Sequence, residues 1–282
     1  MRKRSITARK AVNNIVGILA GSAAALGLFM LLWILFTIAG RGAAAINWEF
    51  LTALPTPPGS EGGGLANAIV GTILITIVAT LLAVPIGMLA GIYLSEFGQD
   101  GKFANASRFL TNILMGAPSI VVGVFVYTLV VTQMGRFSGL AGSLALAIIM
   151  LPVIARTTED MLKLVPNSLR ESALALGAPE HKMIFQVAFR AAKSGLITGV
   201  ILAVARVSGE TAPLLFTTLN SPYWSTAMDK PMANLTVTIF NYAMSPYADW
   251  QAKAWGASLL ITAAVLMLNL TARLVARERK TR

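Results

Sequence analysis

Residues 66–94 have the sequence ANAIVGTILITIVATLLAVPIGMLAGIYL, which contains no Asp, Glu, Lys or Arg. An α-helix needs about 20 mostly apolar residues to cross the hydrocarbon core of a bilayer, because it rises only about 1.5 Å per residue. The stretch therefore predicts a transmembrane helix, and it places the chain among the integral membrane proteins.

Five further apolar stretches have comparable length, which predicts an all-α polytopic membrane protein with about six transmembrane helices; they lie at about 15–39, 109–132, 139–156, 195–217 and 254–276. The first of them spans about 25 residues, whereas the apolar core of a secretory signal peptide has about 7–15. We therefore expect it to be retained as a span. Charged residues make up only 12% of the chain, against about 25% in soluble domains.

The basic residues are distributed unevenly between the predicted loops. If the spans alternate from a cytoplasmic N-terminus, 18 of the 23 Lys and Arg residues lie on the cytoplasmic side and four lie outside. Loops rich in Lys and Arg stay in the cytoplasm, so both termini are predicted to be cytoplasmic. The same rule accounts for the net charge of +11 without a nucleic-acid partner.

The chain offers few residues for catalysis or metal binding. It has no Cys and one His, His181, which excludes a thiolate nucleophile and a His/Cys zinc site. We interpret His181 as a loop residue. The sequence also lacks the Gly-x-x-x-x-Gly-Lys-Ser/Thr loop that holds nucleotide phosphates. An ATP-driven activity would therefore need a separate ATPase chain.

The cytoplasmic segment between the fourth and fifth predicted spans is expected to form two short helices. Ser168 and Glu171 have the spacing of a capping box, which begins a helix. Gly177 suits the left-handed residue that ends it, and Pro179 suits the first turn of a second helix at His181–Lys193. From these residues alone, the first helix either packs on its own membrane domain or docks onto a cytoplasmic partner.

A few polar residues lie in or beside the predicted spans. Arg206 and Glu210 lie within the fifth, where each charge costs about 2.5–3.5 kcal/mol at the helix centre. Being four apart, they would share one helix face, so they either pair with each other or line a polar route. Arg156 and Glu159 at the inner end of the fourth span either anchor it or belong to that route. The default role of Thr211 is an interhelical hydrogen bond.

The two long outer loops differ in character. The loop at about 40–64 is rich in Pro and Gly, which predicts an irregular segment. The loop at about 218–252 contains an apolar stretch at 234–244 that is too short to cross the membrane. This stretch predicts a re-entrant or interfacial helix.

The cytoplasmic segment resembles a motif of known transport proteins. Glu171-Ser172-Ala173, separated by three residues from Gly177, is similar to the Glu-Ala-Ala…Gly pattern of ABC importer permeases, with Ser172 in place of the usual Ala. In that family the segment is a coupling helix that fits a groove on the ATP-binding subunit. The resemblance implies a coupling segment at about 166–185, whose ATPase-coupling residues are Ser168, Glu171, Ser172, Ala173, Leu176, Gly177 and Ala178.

A second resemblance is more specific. Residues 206–216, RVSGETAPLLF, are similar to the fifth-span signature of the phosphate-specific permeases of that family. The likeness extends over about 65–275 and includes 151–159, 164–166 and 238–246. It implies the ABC importer type I permease fold and inorganic phosphate as the substrate. It also implies a translocation path formed by Arg206, Glu210, Arg156, Glu159 and Thr211.

The resemblance further implies the surroundings of the chain, which we expect to be a single transmembrane permease domain over 1–282 in the bacterial inner membrane. The implied partners are a homologous second permease subunit in a heterodimer, two ATP-binding subunits, a periplasmic or extracellular phosphate-binding protein and membrane lipid. ATP and Mg²⁺ are expected on the ATPase, with no cofactor, metal or nucleic acid bound by this chain, which is expected not to be an enzyme.

Three alternatives remain open at this point. The first is a permease for another oxyanion, such as sulfate or molybdate. The second is a secondary transporter or channel with no ATPase partner, which would explain the spans and Arg206 but not the cytoplasmic helix. The third is an integral membrane enzyme, for which a single His and no Cys leave few catalytic options.

Overall fold

The computed structural model describes residues 6–60, 62–98 and 101–277, and within these ranges it contains helices and no strand. The basic residues at positions 2–4, 279, 280 and 282, which contributed to the predicted orientation, lie outside the described residues. The helices are α1 (Ile6–Ala43), α2 (Trp48–Thr52), α3 (Ala66–Phe97), α4 (Lys102–Gly116), α5 (Ser119–Met134), α6 (Gly139–Lys163), α7 (Asn167–Ala175), α8 (Glu180–Val207), α9 (Ala212–Leu215), α10 (Leu235–Ala243) and α11 (Ala248–Arg277).

The prediction of about six spans in an all-α protein is confirmed. In the described part of the chain, α1, α3, α6, α8 and α11 are long and apolar enough to cross a membrane. The pair α4 and α5 supplies a sixth if the two are counted as one span. Three helices contain a π-helical turn: Tyr93–Phe97 at the end of α3, Tyr127–Val131 within α5 and Met183–Ala188 near the start of α8.

The third predicted span, at 109–132, is divided between α4 and α5 and is not one straight helix. The chain bends by 102° between α4 and α5. Ala117, with φ −68° and ψ 134°, lies outside the helical region, because the ring of Pro118 disfavours a helical conformation in the residue before it. Consequently α4 lies at a steep angle to α5 instead of continuing it.

The second cytoplasmic helix is not separate either. The predicted helix at His181–Lys193 forms the first part of α8, which runs unbroken from Glu180 to Val207. His181 therefore lies in a helix, and its interpretation as a loop residue is wrong. Nothing in this stretch interrupts the backbone hydrogen bonds, because it contains no Pro. The fifth span therefore begins and ends earlier than its predicted range of 195–217.

Small residues allow α3 and α6 to pack closely along their length. A Cβ atom on Gly87 would lie 2.9 Å from Ile154 Cβ, and one on Gly91 would lie 2.5 Å from Thr158 Cβ. Close helix contacts of this kind are the main source of packing energy within a bilayer. The buried side chains of Ile75, Leu146, Met150 and Ile154 fill the same interface.

The outer loops carry two short helices. The apolar stretch at 234–244 forms α10, which packs against α11 and α3, so the predicted short helix is confirmed. The loop at 40–64 contains α2 and is held in place by Lys253, whose Nζ donates to the carbonyl of Gly62 at 2.6 Å.

Candidate functional site

The cytoplasmic helix α7 begins directly after Pro166, with Asn167 as its first residue. Ser168 therefore lies inside the helix, and no side-chain hydrogen bond caps this end. The predicted capping box of Ser168 and Glu171 is wrong, because Pro166 with its fixed φ starts the helix before Ser168 can occupy the cap. Ser168 instead contributes its carbonyl, which accepts from Ser172 Oγ at 2.7 Å.

The other end of α7 follows the prediction. Gly177 has φ +80°, a conformation that glycine adopts without steric cost. Its N–H donates to the carbonyl of Leu174 at 2.9 Å, and the N–H of Ala178 donates to the carbonyl of Ala173 at 3.1 Å. These two bonds define the Schellman motif, which satisfies the last carbonyls of a helix.

One side of α7 is buried and the other is exposed. Ala173 is 9% exposed and packs with Met183 and Ile184 of α8. On the open side, Leu174 is 46% exposed and Leu176 is 89% exposed. One side of α7 thus packs on its own membrane domain, and the other side presents apolar side chains that a partner could cover. Both alternatives that the sequence left open therefore apply, each to one side of the helix.

The predicted ATPase-coupling residues lie together on this segment. Ala173 is buried and Ala178 is half-buried, and the exposed members are Ser168, Glu171, Ser172, Leu176 and Gly177. The sequence analysis missed Leu169 and Leu174, which are also exposed. Two leucines on a short helix outside the spans are the signal that would have found them.

Arg170 attaches α7 to the inner end of α3. Its Nη2 donates to Oε1 of Glu96 at 2.8 Å and its Nε donates to Oε2 at 3.1 Å. It also donates to the carbonyls of Leu162 at 2.8 Å and Val165 at 2.6 Å. The two charged residues are 74 positions apart, so no local pattern could have indicated that they meet.

Glu159, predicted to belong to the translocation path, is buried among other charges. Its side chain is 1% exposed, and its Oε1 accepts from Arg108 Nε at 2.7 Å and from Lys163 Nζ at 2.6 Å. Arg156 lies 3.8 Å from Glu159 but only 3.1 Å from Asp160. The structure therefore favours an anchoring role for Glu159, because it neutralises Arg108 inside the protein.

Arg206, Glu210 and Thr211 lie at the end of α8 and in the turn that follows it. Since α8 ends at Val207, the prediction that Arg206 and Glu210 lie in the middle of a span on one helix face is wrong. No ion pair joins these two residues, both of which the structure describes. Arg206 is exposed and Glu210 is half-buried. Thr211 directly precedes α9.

A buried asparagine fixes the backbone around this turn. Asn234 caps α10 with Oδ1, which also accepts from Thr236 Oγ1 at 3.0 Å, and its Nδ2 donates to Thr218 Oγ1 at 2.9 Å. Thr236 Oγ1 lies 2.9 Å from the carbonyl of Glu210. The sequence analysis missed Asn234, although Asn directly before an apolar helix is an N-cap signal.

A cavity of about 730 Å³ opens between the two outer loops. Among the described residues, no charged side chain lines it; the lining residues include Pro55, Asn67, Tyr223, Tyr242 and Trp250. Burial, with a smaller contribution from the charge of Asp249, raises the pKa of Tyr242 to about 12, so its hydroxyl stays neutral. The described lining therefore offers no cation to an oxyanion. In the described ranges no cluster of three or more His, Asp or Glu residues could hold a metal.

Comparison with known proteins gives three kinds of match. The family model of binding-protein-dependent transport system inner membrane components matches residues 83–279. The chain is 49% identical over 279 residues to the phosphate transport system permease protein PstA of Yersinia pestis, covering 99% of this chain and 95% of that protein. It is 48% identical over 272 residues to the PstA protein of Haemophilus influenzae, covering 96% of each.

Two solved structures share the fold. An inward-facing MetNI methionine ABC transporter matches with a TM-score of 0.63 at 20% identity, covering 76% of this chain and 95% of that one. A bacterial alginate ABC transporter, solved with an alginate-bound periplasmic protein, matches with a TM-score of 0.64 at 13% identity, covering 95% and 96%. At these identities the two structures establish the architecture alone.

Proposed function

Because this chain belongs to the family of binding-protein-dependent transport system inner membrane components, we propose that it is the permease subunit of an ATP-driven ABC importer for inorganic phosphate. The observation that carries the proposal is the 49% identity to a phosphate transport permease over nearly the whole length of both chains. A transport route through a membrane is lined by residues from many parts of the sequence. Sequence identity over the full length therefore supports a shared route better than identity in one segment would. The chain is a multi-pass inner-membrane transport component.

Helix α7 is the surface that we assign to the ATP-binding subunits. It stands outside the spans and presents Leu169, Leu174 and Leu176. Exposed apolar side chains on a short helix are stabilised by a partner that covers them. The expected partner is an ATPase, which would bind ATP and Mg²⁺. It would supply the energy for transport, because this chain has no nucleotide-binding loop of its own.

The remaining partners are proposed by the same argument. They are a homologous second permease, a second ATP-binding subunit and an external phosphate-binding protein. The description of the family names a binding protein, and the structurally similar alginate ABC transporter was solved in complex with a periplasmic protein. ATP-driven movement of α7 would then rock the spans between outward and inward access.

The translocation path is proposed to include Arg206, Glu210 and Thr211. The guanidinium of Arg206 is exposed and not held in an ion pair among the described residues, so it is available to a phosphate oxyanion. Glu210 lies four residues away on a turn. Its carboxylate would compete with phosphate for Arg206, so that the bound phosphate could be released. Arg156 belongs to the same proposal, with its charge shared by Asp160. Glu159 is assigned instead to holding Arg108 in place outside the path.

The test is phosphate-stimulated ATP hydrolysis in proteoliposomes that contain this chain, its ATPase, the partner permease and the binding protein. The variant Leu174→Glu/Leu176→Glu changes only exposed side chains of α7. The control Met244→Glu changes a side chain that is 74% exposed at the end of α10, on the outer side of the predicted topology.

We expect phosphate, but not sulfate or molybdate, to stimulate hydrolysis in the wild-type assembly and in the control. The α7 variant should lose both the stimulation and the co-purification of the ATPase. Stimulation by sulfate instead would reassign the substrate. Phosphate flux through the wild-type chain with no ATPase present would indicate a secondary transporter or channel.

A further inference from the structure

The inner end of α3 is held by two arginines from different helices. Arg170 of α7 donates to both carboxylate oxygens of Glu96, in the π-helical turn Tyr93–Phe97. Arg108 of α4 donates to the carbonyl of Leu94 in the same turn at 2.8 Å. A π-helical turn contains an extra residue and often marks a functional site within a helix. The turn is thus the point at which α7, α3 and α4 are joined.

The ion pair between Arg170 and Glu96 is largely withdrawn from solvent. Their side chains are 15% and 6% exposed. Two parallel N–H···O bonds from a guanidinium to a carboxylate fix the relative orientation of both groups as well as their distance. A solvent-exposed pair joined by one hydrogen bond would leave α7 and α3 free to move independently. The buried pair of Arg170 and Glu96, joined by two hydrogen bonds, restrains them.

Helix α7 has a second attachment, to the first turns of α8. Ala173 is buried there together with Met183 and Ile184, and Ala178 packs against the same cluster. This attachment is apolar and therefore non-directional, whereas the contact with Glu96 fixes an orientation. A force on α7 would therefore reach α3 through a directional polar contact and α8 through apolar packing.

Helix α3 can carry such a movement further because it is closely packed on α6. Gly87 and Gly91 leave no room between the two helices, and packed interiors transmit displacement with little compression. The route from α7 to the membrane interior would then run through Glu96 into α3 and α6.

We infer that Arg170 and Glu96 are positioning residues which transmit the movement of α7 to α3, so that ATP hydrolysis on the partner subunit is coupled to transport. The inference rests on the proposed function and adds to it a polar contact on the side of α7 that faces its own membrane domain. Neither residue touches substrate or ATP in this account. Their effect lies in the number of phosphate ions moved for each ATP hydrolysed.

The experiment is a double-mutant cycle in the complete reconstituted transporter, using Glu96→Gln, Arg170→Met and the double variant. Phosphate uptake and ATP hydrolysis are measured together, along with co-purification of the ATPase and the melting temperature. Arg136→Ala and Asp229→Ala provide the control cycle, because these residues form an ion pair at 3.1 Å whose side chains are each 53% exposed. Arg170→Lys retains the charge and loses the two-bond geometry.

We expect Glu96→Gln and Arg170→Met each to lower phosphate transported per ATP by about fivefold or more, while the ATPase still co-purifies and hydrolyses ATP. The double variant should be no worse than Arg170→Met alone, because two residues acting as one unit are not additive. Arg170→Lys should restore part of the ratio, and the control cycle should leave it unchanged.

Two results would overturn the inference. One is a normal transport ratio in both single variants, and the other is a loss of transport, hydrolysis and melting temperature in parallel, which a purely structural pair would give. Failure of the proposed function is distinguishable, since the wild-type assembly itself would then show no phosphate-stimulated hydrolysis.

Discussion

Removing the carboxylate of Glu159 tests whether this residue stabilises the inner end of the bundle or lines the path of the substrate. In Glu159→Ala, Arg108 loses its 2.7 Å partner while its side chain remains only 18% exposed. Breaking a buried pair by removing one partner costs about 3–5 kcal/mol. The lower end applies here, because Arg108 keeps its bonds to Asn105 and to the carbonyl of Leu94.

The second partner of Glu159 adds little to this figure. Lys163 is 50% exposed, and pairs of that exposure contribute about 0–1 kcal/mol. The expected loss of stability is therefore about 3 kcal/mol, which corresponds to a fall in melting temperature of about 6 °C or more on the scale known for chains of roughly 150–250 residues.

The assay is the apparent melting temperature in lipid nanodiscs, together with phosphate uptake normalised to folded protein. Asp160→Ala is the matched control, since it removes the neighbouring carboxylate from a pair that is 42% and 46% exposed, and it should lower stability by less than about 1 kcal/mol. Uptake per folded molecule should survive in both. An unchanged melting temperature with abolished uptake in Glu159→Ala would refute the reasoning and return Glu159 to the path.

Three further predictions use single positions. Gly91→Leu should prevent stable folding, because even its Cβ would lie 2.5 Å from Thr158 Cβ, whereas Gly116→Ala, with open space around it, should be tolerated; yield and melting temperature check both. Gly177→Val should lose co-purification of the ATPase, since φ +80° at the end of α7 strains a branched residue by about 1 kcal/mol or more, and an unaffected yield of complex would contradict this. Arg206→Gln should abolish phosphate uptake with the melting temperature unchanged, because its exposed guanidinium forms no ion pair in the described structure, and retained uptake would remove it from the path.

The local features of the sequence predicted local features of the structure well. Long uncharged stretches identified the spans, since crossing a bilayer requires a helix that satisfies its own backbone hydrogen bonds. Gly177 correctly marked the end of α7, because a positive φ selects glycine wherever it occurs. The resemblance to ABC importer permeases agreed with the family to which the chain belongs.

The sequence was least informative where two local signals competed. Ser168 and Glu171 have the spacing of a capping box, but Pro166 two residues earlier determines where the helix starts. The stretch at 109–132 is apolar enough to span, yet Pro118 divides it by a bend of 102°. Hydropathy does not register a single residue whose effect is on backbone geometry.

The sequence by itself determined that this chain is a membrane protein of about six transmembrane helices with a cytoplasmic helix similar to that of ABC importers, because composition and short-range spacing act on the segment that contains them. Only the tertiary structure decided which charges meet. Glu96 with Arg170 and Glu159 with Arg108 join residues 74 and 51 positions apart. The free energy of such a pair depends on the distance and burial of its two atoms, and these follow from how the helices pack.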